Sequence, residues 1–139
     1  MSELAALDFR LGWSSDLPLG VQIAGVVVGV IGYDIILVWS MVVNAFFVAT
    51  VRIQTDRNQQ VISHGPYAVV RHPGYFGTLL MNLAAPFLLN SLWALFPAVG
   101  IALVFIVRTR LEDETLQAEL PGYAEYAQKV RYRLIPGIW

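Results

Sequence analysis

A chain of 139 residues with a hydrophobic fraction of 57%, a charged fraction of 14% and a mean hydropathy of +0.60 has room for one domain. It carries more apolar side chain than an ordinary soluble domain, which places it with membrane proteins. A formal net charge of −1 gives no clustered basic surface for displacing phosphate counterions, so nucleic acid is excluded as a partner. The absence of cysteine removes disulfides, thiolate metal sites and cysteine nucleophiles together.

The first twenty residues hold Glu3, Asp8, Arg10 and Asp16 and no basic segment leading to a small-residue cleavage site, so no secretory signal peptide is expected. Residues 21–50, VQIAGVVVGVIGYDIILVWSMVVNAFFVAT, are apolar except for Asp34 and exceed the roughly 20 residues needed to cross a bilayer core. They predict a first span at about 19–50. An ionisable residue within a span is a functional candidate by default. Asp34, however, has no basic residue in the other apolar segments to pair with, so a protonated or hydrogen-bonded carboxyl facing a neighbouring helix, or a position nearer the interface, is the favoured reading.

The second apolar region, from Tyr75 to Val107, could form one overlong broken helix or two short tilted ones. Arg52, Arg57 and Arg71 precede it, and Arg108, Arg110, Lys129, Arg131 and Arg133 follow it. The positive-inside bias wants both groups on one side of the membrane, which a hairpin provides and a single span does not. Asn90-Ser91, with Pro86 before and Pro97 after, supplies the turn. The expected architecture is therefore an all-α, polytopic membrane protein forming one domain over residues 1–139. Its spans fall at about 19–50, 74–90 and 91–110, its cytoplasmic loop at 51–73, and its helical tail at 111–139, with the amino terminus outside.

In the tail, residues 112–119 should carry the third helix into water until Pro121-Gly122 breaks it. A second short helix should follow, with Tyr123, Tyr126 and Val130 on one face, opposite Glu125 and Lys129, lying on the membrane surface or on the protein. Ile138 and Trp139 would anchor the end at the interface.

Two polar clusters fall on the same side in this topology. One is the loop, including SHGPYAVVRHPGYFG at 63–77; the other is Arg108, Glu112, Asp113 and the tail. Arg108 and Glu112 are four residues apart and share a helix face, where they could form either a snorkelling interfacial ion pair or part of a site at the bilayer boundary. His72 precedes a proline and is biased to extended backbone, which holds its ring in a fixed direction. His64 and His72 lie eight apart in irregular sequence with no third ligand at a suitable spacing, so no metal site is expected. Neither a nucleophile elbow nor a glycine-rich phosphate loop is present.

The ordered set Gly65 to Tyr67 (Gly-x-Tyr), Arg71 to Gly77 (Arg-His-Pro-x-Tyr-x-Gly) and Arg108 to Leu116 (Arg-x-x-x-Glu-[Glu/Asp]-x-x-Leu), followed by YAEYAQKVRYRLIPGIW, resembles the carboxyl-terminal core of the isoprenylcysteine carboxyl methyltransferase family over roughly residues 40–139. The resemblance implies S-adenosylmethionine as methyl donor, held by the cytoplasmic loop and the tail. It assigns cofactor contacts to Tyr67, His72, Val61, Ile62, Glu112 and Gln54, and the acceptor side to Arg108, with Arg108 and Glu112 as the catalytic pair. Gln59 stands where the family often has a histidine. The implied acceptor is lipophilic and enters from the membrane lipids. It is a carboxylate such as that of an isoprenylcysteine, or alternatively a phospholipid amine. Pairing with another copy could complete the lipid-facing wall. Two other readings remain open: a membrane reductase using a nicotinamide cofactor, whose loop is distantly similar although Thr78 stands where such loops tend to be acidic, and a non-catalytic membrane subunit.

Overall fold

The computed structural model describes residues 1–47 and 59–139; Gln54, Arg52 and Arg57 lie outside the described residues. These form five helices: α1 (Ser2–Leu11), α2 (Leu19–Val43), α3 (Pro73–Leu88), α4 (Leu95–Glu119) and α5 (Tyr123–Lys129). Among the described residues there is no strand, only an isolated bridge between Val70 and Tyr132.

Among the described residues, α2 is the one helix both long and apolar enough to cross a membrane. The 16 residues of α3 reach about 24 Å, short of a bilayer core of about 30 Å. α4 is longer, at 25 residues, but its final turns are charged. The all-helical expectation therefore holds, and one helix of spanning character is present where three spans were expected. α2 stops at Val43, before the apolar run ends at Thr50. Asn44 turns to extended backbone there, and its side-chain oxygen accepts a hydrogen bond from the Phe46 N–H at 2.9 Å. That local turn competes with further helix.

Glycines set how closely α2 and α3 approach. A Cβ on Gly32 would lie 2.7 Å from the Gly77 carbonyl oxygen, and one on Gly25 would lie 2.8 Å from the Phe87 Cβ. The two helices are antiparallel, with Gly25 facing the end of α3 and Gly32 its beginning. Between these contacts α2 widens into a π-helix over Ile31–Val38, a winding that proteins use sparingly. Asp34 lies in this stretch. Its side chain is exposed rather than turned to a neighbouring helix, because the packed face of α2 is made by Gly25, Gly29, Gly32 and Ser40. This removes the first of the two readings of Asp34, a carboxyl facing another helix, and leaves the second, a position nearer the interface.

α3 opens on Pro73 in its first turn, where the missing N–H costs nothing, and ends at a turn whose Asn90 has φ 50°. α4 returns antiparallel to α3, tied by the Asn82 side-chain amide donating to the Ala98 carbonyl at 2.8 Å. Gly122, at φ 82°, follows Pro121 and lets the chain reverse into α5. Leu120, Tyr123, Tyr126 and Val130 are buried there against Val61, Leu116 and Ala127, so α5 lies on the protein itself. One end of the helices thus gathers the loop, the end of α4 and α5, and the other gathers α1 and the α3–α4 turn.

Candidate functional site

The loop is locked to the tail by backbone hydrogen bonds: Arg71 N–H to the Tyr132 carbonyl and His72 N–H to the Arg133 carbonyl, each 2.9 Å. Gly65, at φ 60°, and Pro66 start a 3-10 turn over Gly65–Ala68 that directs Tyr67 inward. The Tyr67 hydroxyl accepts from the Asn44 side-chain amide at 3.0 Å, and its carbonyl accepts from the Tyr126 hydroxyl at 2.6 Å.

Beneath this, Asp113 is fully buried and ringed by donors. Arg71 approaches it with two nitrogens at 2.7 and 2.8 Å, Arg133 at 3.0 Å, Tyr123 Oη at 3.0 Å and Gln117 Nε2 at 2.8 Å, with His72 Nε2 at 3.3 Å. Burial alone would raise the carboxyl's pKa. The hydrogen bonds from His72 and Arg71 and the charge on Arg71 outweigh it and hold Asp113 well below the ordinary carboxylate range. The same environment pushes the Tyr123 hydroxyl up, through burial first and then the Asp113 charge. Arg71 also donates to the Val130 carbonyl at 2.9 Å, so one guanidinium ties loop, α4 and tail together.

One turn away, Tyr75 joins Arg108 to Glu112. Arg108 Nε donates to the Tyr75 hydroxyl at 2.9 Å and the hydroxyl donates to Glu112 Oε2 at 2.5 Å, while the guanidinium lies 5.3 Å from the ring centre. The Tyr75 ring runs parallel to that of His72, with centres 5.8 Å apart.

Over these residues opens a cleft of about 100 Å³. Of the residues expected at a site, Val61, Ile62, Tyr67, His72 and Glu112 all line it. Arg108 does not line it and is joined to it through Tyr75. Gln54 lies outside the described residues. Sequence reasoning did not single out Asn44, Phe46, Phe47, Gln60, Tyr75 and Thr115, which also line the cleft, as does Gln59. For Tyr75 the signal was available, since it stands inside the Arg-His-Pro-x-Tyr-x-Gly element. For Asn44 to Phe47, read as the end of a span, there was none.

A helical chain with one apolar helix of membrane-spanning length, whose loop and tail close a cleft of mixed polar and apolar lining over one end of its helices, has the character of a membrane-type helical protein. The isoprenylcysteine carboxyl methyltransferase (ICMT) family model matches residues 25–118, more than half of the chain, and the chain belongs to that family. It is similar to a probable protein-S-isoprenylcysteine O-methyltransferase of Oryza sativa subsp. japonica, 30% identical over 112 residues, covering 79% of this chain and 59% of that protein. Arabidopsis thaliana protein-S-isoprenylcysteine O-methyltransferase B is 29% identical over 86 residues, covering 60% and 44%. A Delta(14)-sterol reductase of Mus musculus is 33% identical over 90 residues, covering 63% and 22%. The chain thus spans less than two thirds of the length of each of these relatives.

Proposed function

We propose that the chain holds S-adenosylmethionine in this cleft and transfers its methyl group to a lipophilic carboxylate presented at Arg108, such as that of an isoprenylcysteine. The observation that carries the proposal is the Arg108–Tyr75–Glu112 chain, which hydrogen-bonds a cation outside the cleft to a carboxylate lining it.

The donor set fits the cofactor. Glu112 offers an acceptor for its ammonium, and the Asn44, Gln59 and Gln60 amides offer donors for its carboxylate. Phe46, Phe47, Val61, Ile62 and Leu116 form an apolar and aromatic slot for the adenine. Arg71, the guanidinium among the described lining residues, is paired with Asp113, so its charge is compensated beside a sulfonium. When bound, the cofactor supplies an electrophilic methyl group: a carboxylate oxygen forms the new O–C bond, the S–C bond breaks, its electron pair stays on sulfur, and no proton moves.

A guanidinium offers donors and no acceptor, so Arg108 orients an anion instead of serving as a base. A carboxylate acceptor needs no base, whereas an ammonium acceptor must first lose a proton, and this favours the carboxylate. Tyr75 fixes Arg108 relative to Glu112, which sets the distance between acceptor and methyl group on which in-line transfer depends. The proposed orientation has α2 crossing the bilayer, α3 and α4 packed beside it as a hairpin with its turn at the opposite face, and the loop and tail on the cytoplasmic side.

The test is titration of S-adenosylmethionine into purified protein in detergent, followed by methyl incorporation into a prenylated cysteine peptide. Glu112→Ala should abolish cofactor binding. Arg108→Ala should retain it and lose transfer. Absence of binding at millimolar cofactor sinks the proposal. The similarity to a sterol reductase sustains one second reading, a nicotinamide-dependent reductase; protection of the protein by a reduced nicotinamide nucleotide and not by S-adenosylmethionine would select it.

A further inference from the structure

At the end of the helices remote from the cleft, a second buried carboxylate organises a different structure. Asp8 of α1, 2% exposed, accepts from the Ser14 N–H at 2.7 Å, the Ser14 hydroxyl at 2.8 Å and the Ser91 hydroxyl at 2.5 Å. Asn90, in the same turn, accepts from the Leu17 N–H and donates to Asp16, both at 2.8 Å. The bonds of Ser91 and Asn90 join residues more than seventy positions apart and clasp α1 and the segment after it to the α3–α4 turn.

What the clasp presents outward is aromatic. Trp13 lies 5.3 Å from Trp93 and Trp93 lies 5.4 Å from Phe96, centre to centre. Phe9 is 87% exposed and Phe96 70%. A hydrogen-bonded clasp that spends buried polar groups to hold large aromatic rings in the open is not explained by packing within the chain.

We propose that α1 and the α3–α4 turn form a platform seated in the lipid headgroup layer on the membrane face opposite the cleft. This rests on the membrane orientation proposed above and not on methyl transfer. The 10 described residues of α1 span about 15 Å, half a bilayer core. Glu3 and Arg10 on α1 are exposed and require water, while Phe9, Trp13 and Trp93 require an apolar contact that tolerates an indole N–H, the environment at the boundary of the hydrocarbon. The platform is continuous with the apolar surface below it: Leu19 and Ile23 on α2 and Val99 and Leu103 on α4 are all exposed. That continuity commits the occupant to lipid rather than to a second copy.

The experiment uses the full chain in phosphatidylcholine vesicles, with only Trp13 retained and Trp39, Trp93 and Trp139 changed to Phe. Its fluorescence is measured with bromines placed shallow or deep on the acyl chains. Shallow bromines should quench Trp13 roughly twofold more than deep ones. Asp8→Asn should release α1 and lower that quenching, while a companion protein retaining only Trp93 stays quenched. Phe9→Ser, which leaves the clasp untouched, should lower Trp13 quenching without unfolding. Trp13 unquenched by either lipid, or quenched more by deep bromines, overturns the proposal, as does cross-linking through α1 between copies that shields Trp13. Unchanged quenching in Asp8→Asn overturns the role of the clasp. Resistance of the protein to carbonate extraction from the vesicles separates these outcomes from failure of the membrane orientation itself.

Discussion

Replacing Asp113 with alanine leaves the Arg71 guanidinium, 7% exposed, facing a cavity in place of two charge-assisted hydrogen bonds at 2.7 and 2.8 Å. Removing one partner of a buried ion pair typically costs about 3–5 kcal/mol, mostly as the penalty of the orphaned charge. The remaining Arg71 bonds to the Ala127, Val130 and Arg131 carbonyls, all from one nitrogen, offset only part of that. The expected loss for Asp113→Ala is therefore about 3 kcal/mol or more, read by denaturant unfolding in detergent micelles. The double variant Asp113→Leu with Arg71→Met removes both charges together and should be less damaging than Asp113→Ala alone, giving a coupling of about 2 kcal/mol or more. The sign of the pH dependence follows from the depressed pKa of Asp113. Its stabilisation is present above the unfolded aspartate pKa of about 3.9 and fades as pH falls below it. A cost under about 1 kcal/mol for Asp113→Ala, or additive single variants, would refute the view that this carboxylate ties loop, α4 and tail together.

Tyr75→Phe removes the hydroxyl that accepts from Arg108 and donates to Glu112 but keeps the ring beside His72. Methyl transfer should fall about 10- to 100-fold in kcat/KM, as expected for losing a hydrogen bond to a charged group worth about 1.5–3 kcal/mol; a fall of less than about threefold in steady-state assays would exclude the coupling. Gly77→Ala would set a Cβ 2.7 Å from the Leu37 backbone nitrogen and should lower stability by at least about 1–3 kcal/mol in thermal unfolding. Gly100→Ala on α4, where nothing lies within 4 Å, should raise stability by up to about 1 kcal/mol through helix propensity.

The parts legible in the sequence were those with a local cause. Pro73 opening α3, Asn90 at the α3–α4 turn and Pro121-Gly122 ending α4 are each dictated by backbone chemistry within a few residues, and all three turns fall where that chemistry puts them. Meeting of loop and tail was legible too, because charge placement implied it and Arg71 and Arg133 converge on Asp113. The end of α2 was not. Hydropathy runs on to Thr50, while the stop at Val43 depends on one asparagine that takes a local turn and hydrogen-bonds Tyr67 more than twenty residues away. The exposure of Asp34 was not legible for a related reason, since which face of α2 is packed depends on where α3 lies. Phe46, Phe47 and Asn44 enter the cleft through tertiary contact alone.

Adjacent carboxylates at 112 and 113 look interchangeable in the sequence, yet an α-helix turns about 100° per residue, so they cannot face the same way. Glu112 faces the cleft and Tyr75, whereas Asp113 faces the buried guanidinium of Arg71. Exchanging them, Glu112→Asp together with Asp113→Glu, conserves charge and composition. A shorter side chain at 112 withdraws the carboxylate by about 1.5 Å, breaking the 2.5 Å bond to Tyr75. A longer one at 113 forces a methylene into a fully buried position, at about 1–3 kcal/mol. Glu112→Asp alone should spare stability to within about 0.5 kcal/mol and weaken S-adenosylmethionine binding; Asp113→Glu alone should do the reverse. If the exchanged protein unfolds and binds as the parent does, the doublet is a charge reservoir, and the division of labour between cleft and clamp is wrong.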